Sequence, residues 1–179
     1  RKVLASGKAN PKVSIQSEHA ATGQKLSMTL LSYSTNTDTV VVVNDYRPVV
    51  KSIYDVAKPA GYLVPTQNKV LMDWVKRQAL SYSPFKNQKG NKIEQYTIKG
   101  IDSIDFERDI IINPQVEANA YTGAIGEGEY IFIPTAQLKG NMVVLALEPK
   151  SELGLVTYPQ FADLLKIGEK FPVLRVLKK

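Results

Sequence analysis

The sequence predicts a mainly β protein of the α+β class, built as an antiparallel β-sandwich or an open sheet. Short runs of β-branched and aromatic residues recur along the 179 residues, and most of them end at a glycine, a proline or a polar turn. One segment, near 68–79, has apolar residues at helical spacing over several turns, and a shorter one lies near 159–166. The chain is 44% hydrophobic, which is enough to bury a core.

The first third of the chain is predicted to contain four strands. They span 12–18, 25–34, 40–43 and 46–55. The first alternates apolar and polar residues, and the third is apolar throughout. Pro48 indicates that the fourth is interrupted or lies at an edge. Residues 1–10 are predicted to be a linker. Residues 11–179 are predicted to form a single β-rich domain, with two subdomains joined near 56–60 as the alternative.

The most regular helix pattern follows a short predicted strand at 62–64. Leu71, Trp74 and Val75 fall on one helical face, and Thr66 or Asn68 can cap the first turn. Further strands are predicted at 92–99, at 171–177 and over 108–121, the last as one long strand kinked at Pro114.

The stretch 128–151 contains two apolar runs, each closed by a proline. The first, 130–134, places Tyr130, Phe132 and Pro134 on one face if it is extended. The second, 142–147, is apolar on both faces, which predicts a strand in the middle of a sheet. The two runs are therefore predicted to be the central pair of the sheet.

The same stretch resembles a known family. Gly-x-Tyr-x-x-x-Pro-x-x-Gln from Gly128, followed by Leu-Glu-Pro-x-Ser from Leu147, is similar to the C-terminal region of large bacterial proteins of the zinc carboxypeptidase (carboxypeptidase A-like) family. Pro-Ala-Gly-Tyr-Leu-Val-Pro from Pro59, ahead of the predicted helix, also resembles that region. Such helices often end in a His-Gly pair, and here Gln78 and Ala79 stand in its place. The motif residues are Tyr62, Pro65, Trp74, Tyr130, Pro134, Gln137, Glu148 and Pro149.

The resemblance implies a non-catalytic C-terminal accessory domain of a secreted or periplasmic protein. It would support an upstream catalytic domain or substrate access to it, with a cell-wall or glycan ligand as a further possible partner. Zinc would be expected only in that upstream domain, and no cofactor in this chain. The alternative interpretation is a free-standing extracellular module that binds a glycan or a protein.

The residue inventory argues against catalysis by this chain itself. A carboxypeptidase zinc site needs two imidazoles and a carboxylate. The chain has no cysteine and one histidine, His19, with Thr22 three residues later where a carboxylate would be needed. No P-loop, dinucleotide-binding or nucleophile-elbow pattern is present. We therefore predict no catalytic residues and no metal ligands here, and whether a parent protein is an enzyme stays open.

The distribution of charge and hydropathy indicates which kinds of partner are not predicted. The net charge is +6 and the pI about 9.4, but the lysines are scattered and form no basic run, so nucleic acid is not predicted as a partner. No apolar run is long enough to predict a transmembrane segment.

Candidate ligand-binding residues surround a glycine-rich loop at 122–128. Tyr121 precedes the loop, and Glu127 and Glu129 flank its last glycine. Aromatic rings that could stack on a sugar are Trp74, Tyr62, Tyr121, Tyr130 and Tyr158.

Two polar residues of the motif are predicted to be structural. Glu148 follows an apolar run, where a charge is costly unless it is paired, so we expect it to accept backbone N–H groups of the following loop. Gln137 is expected to tie two strand ends together through its amide.

Overall fold

Strands dominate the computed structural model, which describes residues 11–86 and 90–177. The predicted linker at 1–10 lies outside the described residues. The strands are β1 (Lys12–Ala20), β2 (Leu26–Ser32), β3 (Thr37–Val43), β4 (Val49–Ala57), β5 (Gly61–Pro65), β6 (Ser83–Pro84), β7 (Ile93–Phe106), β8 (Asp109–Ala120), β9 (Tyr130–Pro134) and β10 (Lys170–Val176). The α-helices are α1 (Lys69–Arg77) and α2 (Gly140–Leu147). The predicted mainly β, α+β class is confirmed.

A six-stranded antiparallel sheet organises the chain. Its strand order is β6-β9-β5-β10-β7-β8, so the last strand of the chain lies in the middle. β5 and β10 are paired on both sides and are buried along most of their length. β7 and β8 form a long hairpin, and the ladder shifts register between Ile98 and Gly100. The predicted long strand through Pro114 is thus confirmed as β8.

The helix predicted near 68–79 is confirmed as α1. Asn68 caps it, because its side-chain oxygen accepts a hydrogen bond from the backbone N–H of Leu71 at 3.0 Å. Leu71, Trp74 and Val75 form its buried face and join the main core. The shorter helix predicted near 159–166 is a 3-10 helix, Pro159–Leu164, which follows a 3-10 turn at Leu155–Thr157.

The predicted central strand at 142–147 is wrong, because that run is α2. An apolar run of this length fits a buried helix as well as a buried strand, and periodicity cannot separate the two. Val143, Val144, Ala146 and Leu147 are all buried, so α2 is covered on most sides. β9 pairs with β5 and β6 instead of with this segment.

The first four strands form a long ribbon outside the main sheet. β1 pairs with β4 and β2 pairs with β3, both antiparallel. Val13, Ile15 and Val56 anchor the base of the ribbon in the main core. We call residues 26–54 the arm. It contains the predicted third strand, whose valines at 40–42 are exposed.

Polar bonds also fix the ribbon base to the rest of the fold. The Gln16 amide donates to Lys150 O at 2.7 Å and to Asn113 Oδ1 at 3.0 Å. The Glu152 carboxylate accepts the N–H and hydroxyl of Ser17 at 3.0 and 2.9 Å. The base of the ribbon is therefore joined to β8 and to the loop after α2.

A close backbone approach makes Gly140 obligatory at the start of α2. A Cβ at this position would lie 1.9 Å from the carbonyl oxygen of Thr135. We expect Gly140→Ala to lower the free energy of unfolding by about 1–3 kcal/mol, the usual range for overpacking. The loss should occur although alanine has a higher helix propensity than glycine.

Urea denaturation measures this change, and Gly100→Ala is the matched control. A Cβ at Gly100 would meet only the end of the Gln115 side chain, at 3.4 Å, which can move aside. Equal stability of the two variants would contradict the steric argument.

Candidate functional site

Glu148 lies at the centre of the most polar part of the interior. It is 1% exposed and follows the last residue of α2. Its two carboxylate oxygens accept hydrogen bonds from the hydroxyls of Tyr62 on β5, at 2.7 Å, and Tyr96 on β7, at 2.8 Å. Its partners are therefore tyrosine hydroxyls, not the backbone N–H groups that the sequence predicts.

Arg175 supplies the opposite charge. Its Nε lies 3.0 Å from Glu148 Oε1 as an ion pair, although this N–H is not aligned for a hydrogen bond. Its other two nitrogens donate to Glu94 Oε2 at 2.8 Å and to Ala57 O at 2.9 Å. The C-terminal end of a helix carries partial negative charge, so a carboxylate there needs such a cation.

The two tyrosines and the arginine of this network hold their protons more tightly than the free side chains do. Burial raises the pKa of Tyr62 well above its usual value, and the charge of Glu148 raises it further. Burial and Glu148 raise the pKa of Tyr96 in the same way. Burial acts to lower the pKa of Arg175, but Glu148 and its other neighbours outweigh this and raise it. Such a site suits structural cohesion better than acid–base catalysis.

The other motif residues make structural contacts away from Glu148 or beside it in the chain. The Gln137 amide accepts from Ser81 N at 3.0 Å and donates to Ser81 O and Pro134 O at 3.2 and 2.7 Å, tying the end of β9 to the chain after α1. Pro65 and Tyr130 face each other at the paired ends of β5 and β9, and Pro149 is buried after Glu148.

The loop residues predicted to bind a ligand contact their own loop. The Tyr121 hydroxyl donates to Ala124 O at 3.2 Å, and the Glu129 carboxylate accepts the backbone N–H of Gly126 at 2.8 Å. Glu127 is exposed at the turn. Tyr121 and Tyr130 pack together against a second, smaller apolar cluster that contains Phe85 and Leu174. A role of this loop in ligand binding stays a prediction.

Two of the aromatic side chains predicted to stack on a sugar meet in one groove. Trp74 of α1 and Tyr158, between the two 3-10 helices, both border a cavity of about 370 Å³. Trp74 is largely buried, whereas Tyr158 is 49% exposed. Tyr62 is fully buried, so its ring is not accessible for stacking.

His19 lies at the exposed end of β1, and its Nδ1 is 3.1 Å from Arg47 O. Within residues 11–86 and 90–177, no three His, Cys, Asp or Glu side chains come together in a group that could hold a metal ion. No helix in the same ranges is long and apolar enough to cross a membrane.

Comparison with protein families, with curated proteins and with solved structures finds no match for this chain.

Sequence reasoning missed Tyr96 and Arg175 as partners of Glu148. One indication was present, because Arg175 interrupts the apolar run 171–177 just as Glu148 closes the run 142–147. Two opposite charges, each set against apolar neighbours, are typical of a buried pair. Which tyrosines reach the carboxylate depends on strand order and not on sequence spacing.

Removing the charge of Glu148 should destabilise the protein. We expect Glu148→Gln to cost roughly 3 kcal/mol, at the low end for breaking a buried ion pair, because Glu94 still faces Arg175. Glu94→Gln is the matched control and should cost less, since its carboxylate is 29% exposed. Urea unfolding at pH 7 compares them, and a larger loss for Glu94→Gln would contradict the central role of Glu148.

The two buried tyrosines predict a loss of stability in alkali. Unfolded tyrosine ionises near pH 10, whereas Tyr62 and Tyr96 have raised pKa values and stay protonated when folded. Their stabilisation is therefore complete below about pH 10 and is lost above it, by roughly 1.4 kcal/mol per pH unit for each tyrosine.

Urea unfolding between pH 8 and pH 11 measures this slope. Tyr96→Phe should be less stable at pH 8 but should show a shallower alkaline loss. Tyr33→Phe, at a fully exposed tyrosine, should leave the slope unchanged. Identical slopes in all three proteins would rule out Tyr96 as a source of the alkaline loss.

Proposed function

We propose that this chain is a non-catalytic accessory domain that works by binding another protein surface through its arm. The proposed partner is the catalytic domain of the same zinc carboxypeptidase-like protein, which the domain would support or whose substrate access it would shape. The observation that carries this proposal is the large amount of apolar surface that the arm exposes to solvent.

Apolar residues predominate on one face of the β2–β3 hairpin, although Leu30 pairs with Thr39 and Ser32 with Thr37. Residues paired directly across an antiparallel ladder point to the same side. Met28 pairs with Val41 and Leu26 with Val43, and Leu30 is on the same side of β2. Leu30 and Val41 are 47% and 41% exposed. Leu26, Met28 and Val43 are partly buried, and an exposed apolar patch of this kind is typical of an interaction surface.

The arm also presents open strand edges. In the described part of the chain, β2 and β3 pair only with each other, and β1 and β4 likewise. Such edges carry unpaired backbone N–H and C=O groups that another strand can join. The edge of β3 carries no lysine or proline, and Val40, Val41 and Val42 follow one another along it.

The resemblance supplies the identity of the proposed partner. Its motif residues, among them Tyr62, Gln137 and Glu148, hold the sheet and α2 together, so their roles are compatible with a family scaffold. The residues of the arm up to Asp45 lie outside the resemblance. Their sequence is therefore not tied to the family motif and can be specific for one partner. A secreted or periplasmic location follows from the same resemblance and belongs to this proposal.

The competing interpretation is a free-standing extracellular module. The encoded sequence before Arg1 separates the two. A His-x-x-Glu motif with a later histidine is expected there, since these residues would complete a zinc site that this chain cannot build. A start typical of a lipoprotein, with no such motif, would favour the free-standing module.

The arm itself can be tested by adding charge to its apolar face. The double variant Leu30→Lys, Val41→Lys should bind the separately produced catalytic domain at least about 30-fold more weakly than the unmodified chain, as expected when one interface anchor of about 2 kcal/mol is lost. Isothermal titration calorimetry measures both affinities, and both variant residues are exposed, so the fold should be retained.

Leu138→Lys is the matched control for this experiment. Leu138 is 94% exposed and lies outside the arm, so its variant should bind like the unmodified chain. An equal loss of affinity in the control, or undiminished binding by the double variant, would contradict docking through the arm. Retention of one equivalent of zinc by the isolated chain after dialysis would contradict its non-catalytic role.

A further inference from the structure

The groove that Trp74 and Tyr158 share combines an apolar floor with a polar rim. Its floor is apolar and fixed by the main core, since Trp74, Leu155 and Phe161 are all buried members of that core. A cavity of about 370 Å³ is at the small end of the range for ligand sites, which is roughly 300–1,000 Å³. It therefore suits one ring-sized group.

The rim of the groove is polar and has unused hydrogen-bonding capacity. Arg77, Gln78 and Gln160 line it. Among the described residues, neither glutamine side chain has a hydrogen bond, and the guanidinium of Arg77 makes only one long bond, from Nε to Asp73 O at 3.4 Å. Arg77 has no carboxylate partner within ion-pair distance in that part of the chain.

The charge at this rim is positive. The last turn of α1 contains Lys76 and Arg77, and Lys139 donates a hydrogen bond to the carbonyl of Gln78. Lys76, Arg77 and Lys139 outweigh the carboxylate of Asp73, one helical turn earlier, together with the partial negative charge of the helix end, which amounts to about half an elementary charge. A ligand with a carboxylate is therefore complementary to the rim, and its charge would meet the guanidinium of Arg77, which has no carboxylate partner among the described residues.

We propose that this groove binds an acidic sugar residue, that is, a six-membered ring with hydroxyl groups and one carboxylate. The apolar face of the ring would lie against Tyr158 and the apolar floor. Sugar hydroxyls both donate and accept, as do the amides of Gln78 and Gln160, and the carboxylate would pair with Arg77. An aromatic carboxylate would pair with Arg77 but would form no hydrogen bonds with the two amides, which would stay bonded to water. This proposal does not depend on the role of the arm.

The chain contains its own reporter for this site. Trp74 is its one tryptophan and borders the groove, so all tryptophan fluorescence comes from this place. Titration with D-glucuronate at low salt should change the Trp74 emission saturably. D-glucose, which lacks the carboxylate, should bind about tenfold more weakly or worse, because it loses a charge-assisted interaction. Phenylacetate should also bind more weakly than D-glucuronate.

Two arginine variants complete the test. Arg77→Gln should weaken D-glucuronate binding by about tenfold or more and bring it to the level of D-glucose. Its thermal midpoint should be unchanged, since Arg77 is exposed. Arg108→Gln removes an equal charge at the exposed turn between β7 and β8, and it should bind D-glucuronate normally.

Three results would overturn the proposal. These are an emission that no sugar changes saturably, tighter binding of phenylacetate than of D-glucuronate, and equal D-glucuronate affinity in Arg77→Gln and the unmodified chain. The second of these would mark the groove as a site for apolar carboxylates.

Discussion

The buried carboxylate of Glu148 is the interaction on which the rest of the structure depends. It joins the end of α2 to β5 through Tyr62, to β7 through Tyr96 and to β10 through Arg175. Arg175 also joins this network to the base of the ribbon, because it donates a hydrogen bond to Ala57 O. A charge removed from water is tolerated only when it is paired and hydrogen-bonded, so these elements must come together in one arrangement. The network therefore specifies the relative positions of elements that lie far apart in the sequence.

The arm differs from this buried network because its apolar side chains and strand edges are exposed. In the interior the strongest polar groups have partners, whereas the arm leaves strand edges and valine side chains in contact with water. Its base is fixed by Gln16 and Glu152, so it is a continuation of the ordered fold. On this contrast rests the proposed division of roles, in which the sheet and α2 would provide rigidity and the arm a surface for another protein.

The groove at α1 has a third character, with an apolar floor and unused polar groups at its rim. Sequence reasoning named Trp74 and Tyr158 in one set of five aromatic residues, without indicating that these two would meet. It also favoured the loop around Tyr121, whose hydroxyl and neighbouring Glu129 are bonded to the loop itself. The sequence shows which side chains have suitable chemistry. The packing of helices and turns decides which of them line the same cavity.

By itself the sequence determined the fold class, the helix α1 and most strand positions, because alternation, capping and turn residues act locally. Asn68 and the face of Leu71, Trp74 and Val75 are such local features. Only the tertiary structure decided that 142–147 is a helix, that the valines of β3 are exposed, and that Tyr62, Tyr96 and Arg175 surround Glu148. An apolar run of that length is compatible with either a buried helix or a buried strand, and apolar composition does not reveal what covers a strand. The order of the strands in the sheet decides which side chains surround a buried charge, and that order depends on long-range packing.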